Sequence, residues 1–175
     1  VKVALLAGLS SVVCLSTLAL AADRIGSESC GACHAKAYQA WRVDPHARAA
    51  QSLTEAQRQM PSCTICHAPE LAQRTLAAAA QAPTPLQDDG RAESGVGCES
   101  CHGAGQYYAP IYVMRDGELA RAVGLIDPGQ KSCLACHGPG SPSLTPFDFA
   151  NKVKLIDHWT AELESRSPPK TGSPH

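Results

Sequence analysis

The chain has 175 residues, of which 18% are charged, and a formal net charge of −1. That balance leaves no basic excess for recognising nucleic acid, so none is expected as a partner. Two Phe, two Trp and four Tyr stand beside 14 Gly and 13 Pro, too few large apolar side chains to offset the entropy of folding alone.

Residues 1–21 read as a secretory signal peptide. Lys2 opens a small and apolar run from Val3 to Leu20, and Ala19-Leu20-Ala21 fits an A-x-A cleavage site. An uncleaved membrane anchor is the alternative. Cys14 lies inside this leader and is discarded with it. Residues 22–175 are then a single exported domain, periplasmic or otherwise outside the cytoplasm, with no stable membrane span after cleavage.

Cys30-Gly-Ala-Cys33-His34 opens that domain and leads into an amphipathic helix from Ala35, with Tyr38 and Trp41 on one face. Asp44 is the expected N-cap of a second helix, with Pro45 at its first position and His46 at its start; Met60-Pro61 ends it. Cys63-Thr-Ile-Cys66-His67 follows, then a helix from Ala68 to Ala82 and a Pro- and Gly-bearing surface loop from Pro83 to Gly97. After Cys98-Glu-Ser-Cys101-His102, glycines at 103 and 105 permit close backbone approach to a ring edge. A short helix from Glu118 to Val123 and a turn at Asp127 precede Cys133-Leu-Ala-Cys136-His137. A last helix from Phe147 to Glu164 carries His158 and Trp159, and the tail runs to His175.

The four CxxCH pentapeptides begin at intervals of 33, 35 and 35 residues. C-x-x-C-H is the attachment sequence for c-type haem. The two thiols, one helical turn apart, add across the vinyl groups of one porphyrin edge, and the adjacent His ligates the iron. Zinc or a disulfide framework would use the cysteines but leaves the four adjacent histidines unexplained. The expected cofactors are four haem c groups. Their covalent anchors are Cys30, Cys33, Cys63, Cys66, Cys98, Cys101, Cys133 and Cys136, and their proximal iron ligands are His34, His67, His102 and His137. The haems supply the missing core, so the expected fold is mainly α: short helices and irregular loops wrapped around four closely packed haems. Haem propionates would add negative charge. Of seven histidines, His46, His158 and His175 remain for four distal positions, so at least one iron lacks a distal His from its own chain. His46, on an Ala-rich surface, is a distal-ligand candidate.

The chain resembles the tetrahaem cytochrome c-554 family. The resemblance rests on Cys30-x-x-Cys33-His34 followed by Trp41 and Pro45-His46-Ala47, on Gly95-Val-Gly-Cys98-Glu-Ser-Cys101-His102-Gly103, and on a late helix containing His. It implies a mainly helical fold around stacked haems, His46 as distal ligand of the fourth haem and His158 as that of the third. The family usually caps the first haem with a His beyond the third motif. Here Gly103 to Arg115 offers only Tyr107, Tyr108, Tyr112 and Met114. Met114 is a candidate ligand, with plain packing as its other role.

The expected function is periplasmic electron transfer between redox partners, from an oxidoreductase donor to a cytochrome or quinone-linked acceptor, by a monomer or weak oligomer and without catalysis. One alternative is an enzyme reducing a small nitrogen oxide at a five-coordinate haem on His67; Glu70 nearby is read as surface charge. Another is a subunit of a polymeric filament, with His175 reaching a neighbouring copy.

Overall fold

The computed structural model describes residues 22–73, 95–141 and 146–167. Among these residues the fold is mainly helical, without strands. The leader with Cys14, most of the loop expected at 83–97, most of the helix expected at 68–82, and the tail with His175 lie outside the described residues.

The helices are short because the sequence interrupts them. Helix α1 (Ser27–Gly31) and helix α2 (Ala35–Val43) flank Cys33 and His34. Asp44 precedes a proline, which disfavours helical backbone; it adopts an extended ψ of 147° and ends α2. The next segment, His46–Ser52, is a 3-10 helix ending at Leu53, not the expected α-helix reaching Met60. Its first carbonyl, that of His46, accepts the N–H of Val96 at 2.7 Å, across a sequence gap of fifty residues. A separate helix, α3 (Glu55–Arg58), follows. Thr54 and Gln57 cap it reciprocally, each side-chain oxygen accepting the other's backbone N–H.

Pro61 opens helix α4 (Pro61–His67) rather than closing the helix before it, since its fixed φ suits the first helical position. Helix α5 covers residues 69–73 of the described chain. Then come α6 (Cys98–His102), α7 (Ile111–Met114), α8 (Gly117–Ala122, capped by Asp116) and α9 (Gln130–His137). The last expected helix is three pieces: α10 (Phe149–Lys152), a 3-10 turn (Val153–Ile156) and α11 (Trp159–Arg166). The Asp157 carboxylate takes the N–H groups of Trp159 and Thr160, at 2.9 and 3.1 Å, and so restarts the helix. His158 therefore sits at a joint, not within a helix.

Helix α2 packs against α1, α11 and the 3-10 segment. Buried apolar residues are mainly alanines: Ala37, Ala47, Ala50, Ala68 and Ala72. A small cluster of Tyr108, Val113 and Ala120 gathers Met114, Val123 and Leu125. Met114 is thus packed in protein. No helix among the described residues is long and apolar enough to cross a membrane.

Buried glutamates tie these short pieces together. Glu99 is 2% exposed and accepts the backbone N–H groups of Ile25, Gly26 and Gly105 at 2.6–3.1 Å. Beside it, the Ser27 hydroxyl accepts the N–H of Cys98 at 2.8 Å, so α1 caps α6. Glu162, on α11, accepts the N–H groups of Lys36 and Ala37 at the start of α2, at 3.0 and 3.1 Å. Glu70 is buried, against its expected place on the surface; Arg24 donates to it at 2.9 Å and the Ser100 hydroxyl also donates to it.

Removing Glu99 leaves three backbone donors without their charged acceptor. Glu99→Ala is expected to lower folding stability by about 3 kcal/mol, read as the loss of helical circular dichroism in guanidinium. For Glu162, burial pushes the carboxyl up. The N–H of Ala37, the Arg166 guanidinium and the N–H of Lys36 outweigh that and hold it below its ordinary value. A depressed folded value means that its contribution is complete above the ordinary carboxylate range and is lost as pH falls through the lower folded value. Glu162→Gln is therefore expected to flatten the acid limb of the thermal-melt profile.

Candidate haem-ligation site

Each CxxCH motif folds as a short helical turn with its His at or just beyond the C-terminal end. The clearest instances are α4, α6 and α9, which end at His67, His102 and His137. Two motif histidines face a second His. The rings of His46 and His137 lie 6.0 Å apart, centre to centre, at 88°. Those of His102 and His158 lie 6.1 Å apart at 84°. Metal–imidazole bonds of about 2 Å on both sides of one ion would put ring centres about 6 Å apart. The separations therefore suit one iron between each pair. The distant residues 46 and 158 are brought to the fourth and third motifs respectively.

Proton placement points the same way. The Nδ1 of His46 lies 2.9 Å from Asp44 Oδ1, that of His102 3.2 Å from the Ile126 carbonyl, and that of His158 2.9 Å from the Ile156 carbonyl. His67 Nδ1 lies 3.1 Å from the Ala49 carbonyl and 3.0 Å from the Ser52 hydroxyl, whose own proton goes to Ala49. Carbonyls and carboxylates only accept, so Nδ1 carries the proton in all four rings and the Nε2 lone pair is left for a metal. Burial holds His102 below its ordinary value and the Ile126 carbonyl works against that; the nearby His158 and His34 lower it further.

His34 differs. The Arg166 guanidinium donates to its Nδ1 at 3.0 Å and to the Cys33 carbonyl at 3.0 Å. A guanidinium cannot accept, so here Nδ1 holds the lone pair. Ligation through Nε2 needs the proton moved to Nδ1 and Arg166 displaced; the Glu162 carboxylate, 3.9 Å away, is beyond hydrogen-bond distance of that nitrogen. The ring facing His34 is Trp159, at 5.8 Å, and not a histidine. Burial and Arg166 lower the His34 value while Glu162 raises it. His137 stacks on Phe147 at 4.8 Å.

Burial together with a hydrogen bond to Cys66 pushes the Cys136 thiol up to about 12. Among the described residues no three Cys, His, Asp or Glu side chains converge as a tetrahedral zinc site requires.

Several supporting residues were not visible as such in the sequence. Glu162 and Arg166 reach His34 across more than a hundred residues. Trp41, on the same helix face as Tyr38, stacks on it at 5.5 Å and donates its indole N–H to the Val96 carbonyl at 3.0 Å. Gly95 and Val96 back the His46 turn so closely that a Cβ on Gly95 would overlap the carbonyls of His46 and Ala47. Gly95→Ala is therefore expected to cost about 2 kcal/mol and to displace His46. Gly140→Ala, with open space around it, should be silent in the same guanidinium unfolding assay.

Three comparisons with known proteins each found a similar one. Residues 29–103 match the family described as cytochrome c554 and c-prime. Cytochrome c-554 of Nitrosomonas europaea is 28% identical over 148 residues, covering 69% of this chain and 60% of that protein. The chain thus spans about three-fifths of the length of the curated relative it matches. A solved structure of reduced cytochrome c554 from Nitrosomonas europaea is similar at a TM-score of 0.42 and 21% identity, over 89% of this chain and 86% of that one. The matched segment 29–103 holds the first three motifs and His46.

Proposed function

We propose that this chain is a multihaem c-type cytochrome that passes electrons between redox partner proteins through four covalently bound haems. The observation that carries the reading is the pair of facing imidazoles, His46 with His137 and His102 with His158, at 6.0 and 6.1 Å. The eight motif cysteines are the covalent anchors. His34, His67, His102 and His137 are the proximal ligands, and His46 and His158 the distal ligands of the fourth and third sites. When bound, the haem supplies a one-electron iron couple whose potential follows axial ligation and burial.

The protein's own part is to hold and orient. Asp44 and the carbonyls of Ala49, Ile126 and Ile156 keep the protons on Nδ1 and aim Nε2. Two histidines on one iron leave no position for a small molecule, so those two sites carry electrons without binding substrate. Residues 22–175 act as one exported tetrahaem domain after removal of the leader 1–21, working in the periplasm. The donor is an oxidoreductase there and the acceptor a cytochrome or quinone-linked protein.

A second reading attaches to His67. Among the described residues no ring faces it as His46 faces His137, which suits an open iron able to reduce a small nitrogen oxide. Electron paramagnetic resonance of the oxidised protein, matured with a haem-attachment system, tests the ligation, and a nitric oxide turnover assay of the reduced protein separates the two readings. Four covalent haems by mass, low-spin signals that convert one at a time to high-spin in His46→Ala and His158→Ala, and no turnover are expected. Sustained reduction of nitric oxide that is lost in His67→Ala would favour the enzyme. Protein carrying no covalent haem would overturn both readings.

A further inference from the structure

We propose that the Asp44 carboxylate holds the reduction potential of the His46/His137 site below that of the His102/His158 site, so that electrons settle at the latter. The inference rests on the ligation reading above and ranks two of its sites.

The two histidine pairs are alike in ring separation and ring angle. They differ in what their Nδ1 protons meet. In the third-motif pair both partners are neutral carbonyls, Ile126 at 3.2 Å from His102 and Ile156 at 2.9 Å from His158. Two carboxylates stand near that pair without touching Nδ1: Asp127, which is paired with Arg121 at 2.6 Å, and Asp157, which accepts the N–H groups of Trp159 and Thr160. In the fourth-motif pair His46 donates to a carboxylate at 2.9 Å, while His137 lies face to face with the uncharged ring of Phe147 at 4.8 Å. The Asp44 side chain is only 14% exposed, and the same Oδ1 also accepts the backbone N–H of His46 at 2.8 Å. Two bonds to one residue fix the carboxylate in place. Of the arginines on either side, Arg42 lies over the Tyr38 ring at 5.8 Å and Arg48 donates to the Val43 carbonyl at 2.9 Å.

A carboxylate accepting Nδ1–H makes the imidazole a stronger donor through Nε2, and a charge-assisted bond does so more than a neutral one. Greater donation, with the nearby negative charge, stabilises ferric over ferrous iron and lowers the potential. No proton leaves His46 in the process. One electron arrives from a neighbouring site or redox partner and converts ferric to ferrous iron, with no bond made or broken. The His46 side chain is 36% exposed, so water screens part of the effect.

The test is a redox titration of the full holo-protein, followed by optical absorption and electron paramagnetic resonance, comparing the unaltered chain with Asp44→Asn. The amide oxygen of Asn still accepts from both His46 donors, so only the charge is lost. His46→Met and His158→Met, each altering one low-spin signal, assign the two couples. Asp44→Asn is expected to favour ferrous iron at the His46/His137 site about tenfold, about 59 mV for one electron. The His102/His158 couple should not move, and Asp44→Glu should recover part of the shift. An unmoved His46/His137 couple, with haem content and low-spin signals intact, overturns the role of Asp44 and leaves the ligation reading standing. Equal shifts at every couple overturn it as well, by making the effect global. Absence of low-spin bis-histidine signals in the unaltered protein overturns the ligation reading and this inference together.

Discussion

A neutral imidazole has two nitrogens and one proton, and the site depends on where that proton is held. In His46, His67, His102 and His158 an acceptor-only oxygen sits on Nδ1, so Nε2 is left with its lone pair directed away from the protein contact. Three of these acceptors are backbone carbonyls, which places the chemistry under control of chain path rather than of side-chain type. Residue 49 lies in a 3-10 segment, residue 126 in the link after α8, and residue 156 at the end of another 3-10 turn. A carbonyl has two lone pairs, so one can serve the backbone while the other takes the imidazole N–H.

Short helices with alanine cores need other ties. Buried carboxylates provide them in place of large apolar side chains. Glu99 gathers the N-terminal strand of chain, α6 and the loop at Gly105; Glu162 joins α11 to the start of α2; Glu70 joins α5 to Arg24 and α6. A buried carboxylate is costly unless its oxygens are filled with donors, and a helix start supplies unsatisfied N–H groups. Each feature relieves the other. Glu162 links this scaffold to the first motif, since one oxygen serves α2 while the other faces Arg166 and His34.

Among the four motif histidines, His34 is the exception. Its Nδ1 meets a guanidinium and its ring meets Trp159, whereas the family resemblance would place a histidine opposite the first haem. The missing residue was readable directly, because Gly103 to Arg115 contains no His. What stands near His34 instead was not readable, because Trp159 and Arg166 come from the far end of the chain.

The sequence by itself determined the inventory of the site: four CxxCH units with eight cysteines and four adjacent histidines, and only three further histidines to set beside them. Those are properties of local spacing, and spacing survives whatever the chain does elsewhere. It also carried short helices at Ala35 and near Glu118, where amphipathic pattern and capping residues are local. Tertiary structure decided which distant ring faces which, that the segment after Asp44 is a 3-10 helix, that the last helix breaks at His158, and that Glu70 is buried. Each of these depends on a partner remote in sequence or on burial set by the whole fold. Asp44 shows the division within one residue: that it ends α2 is written in the proline that follows it, while its place as the C-cap of α2, not the expected N-cap of the next helix, and its position behind a ring facing His137 exist only in three dimensions.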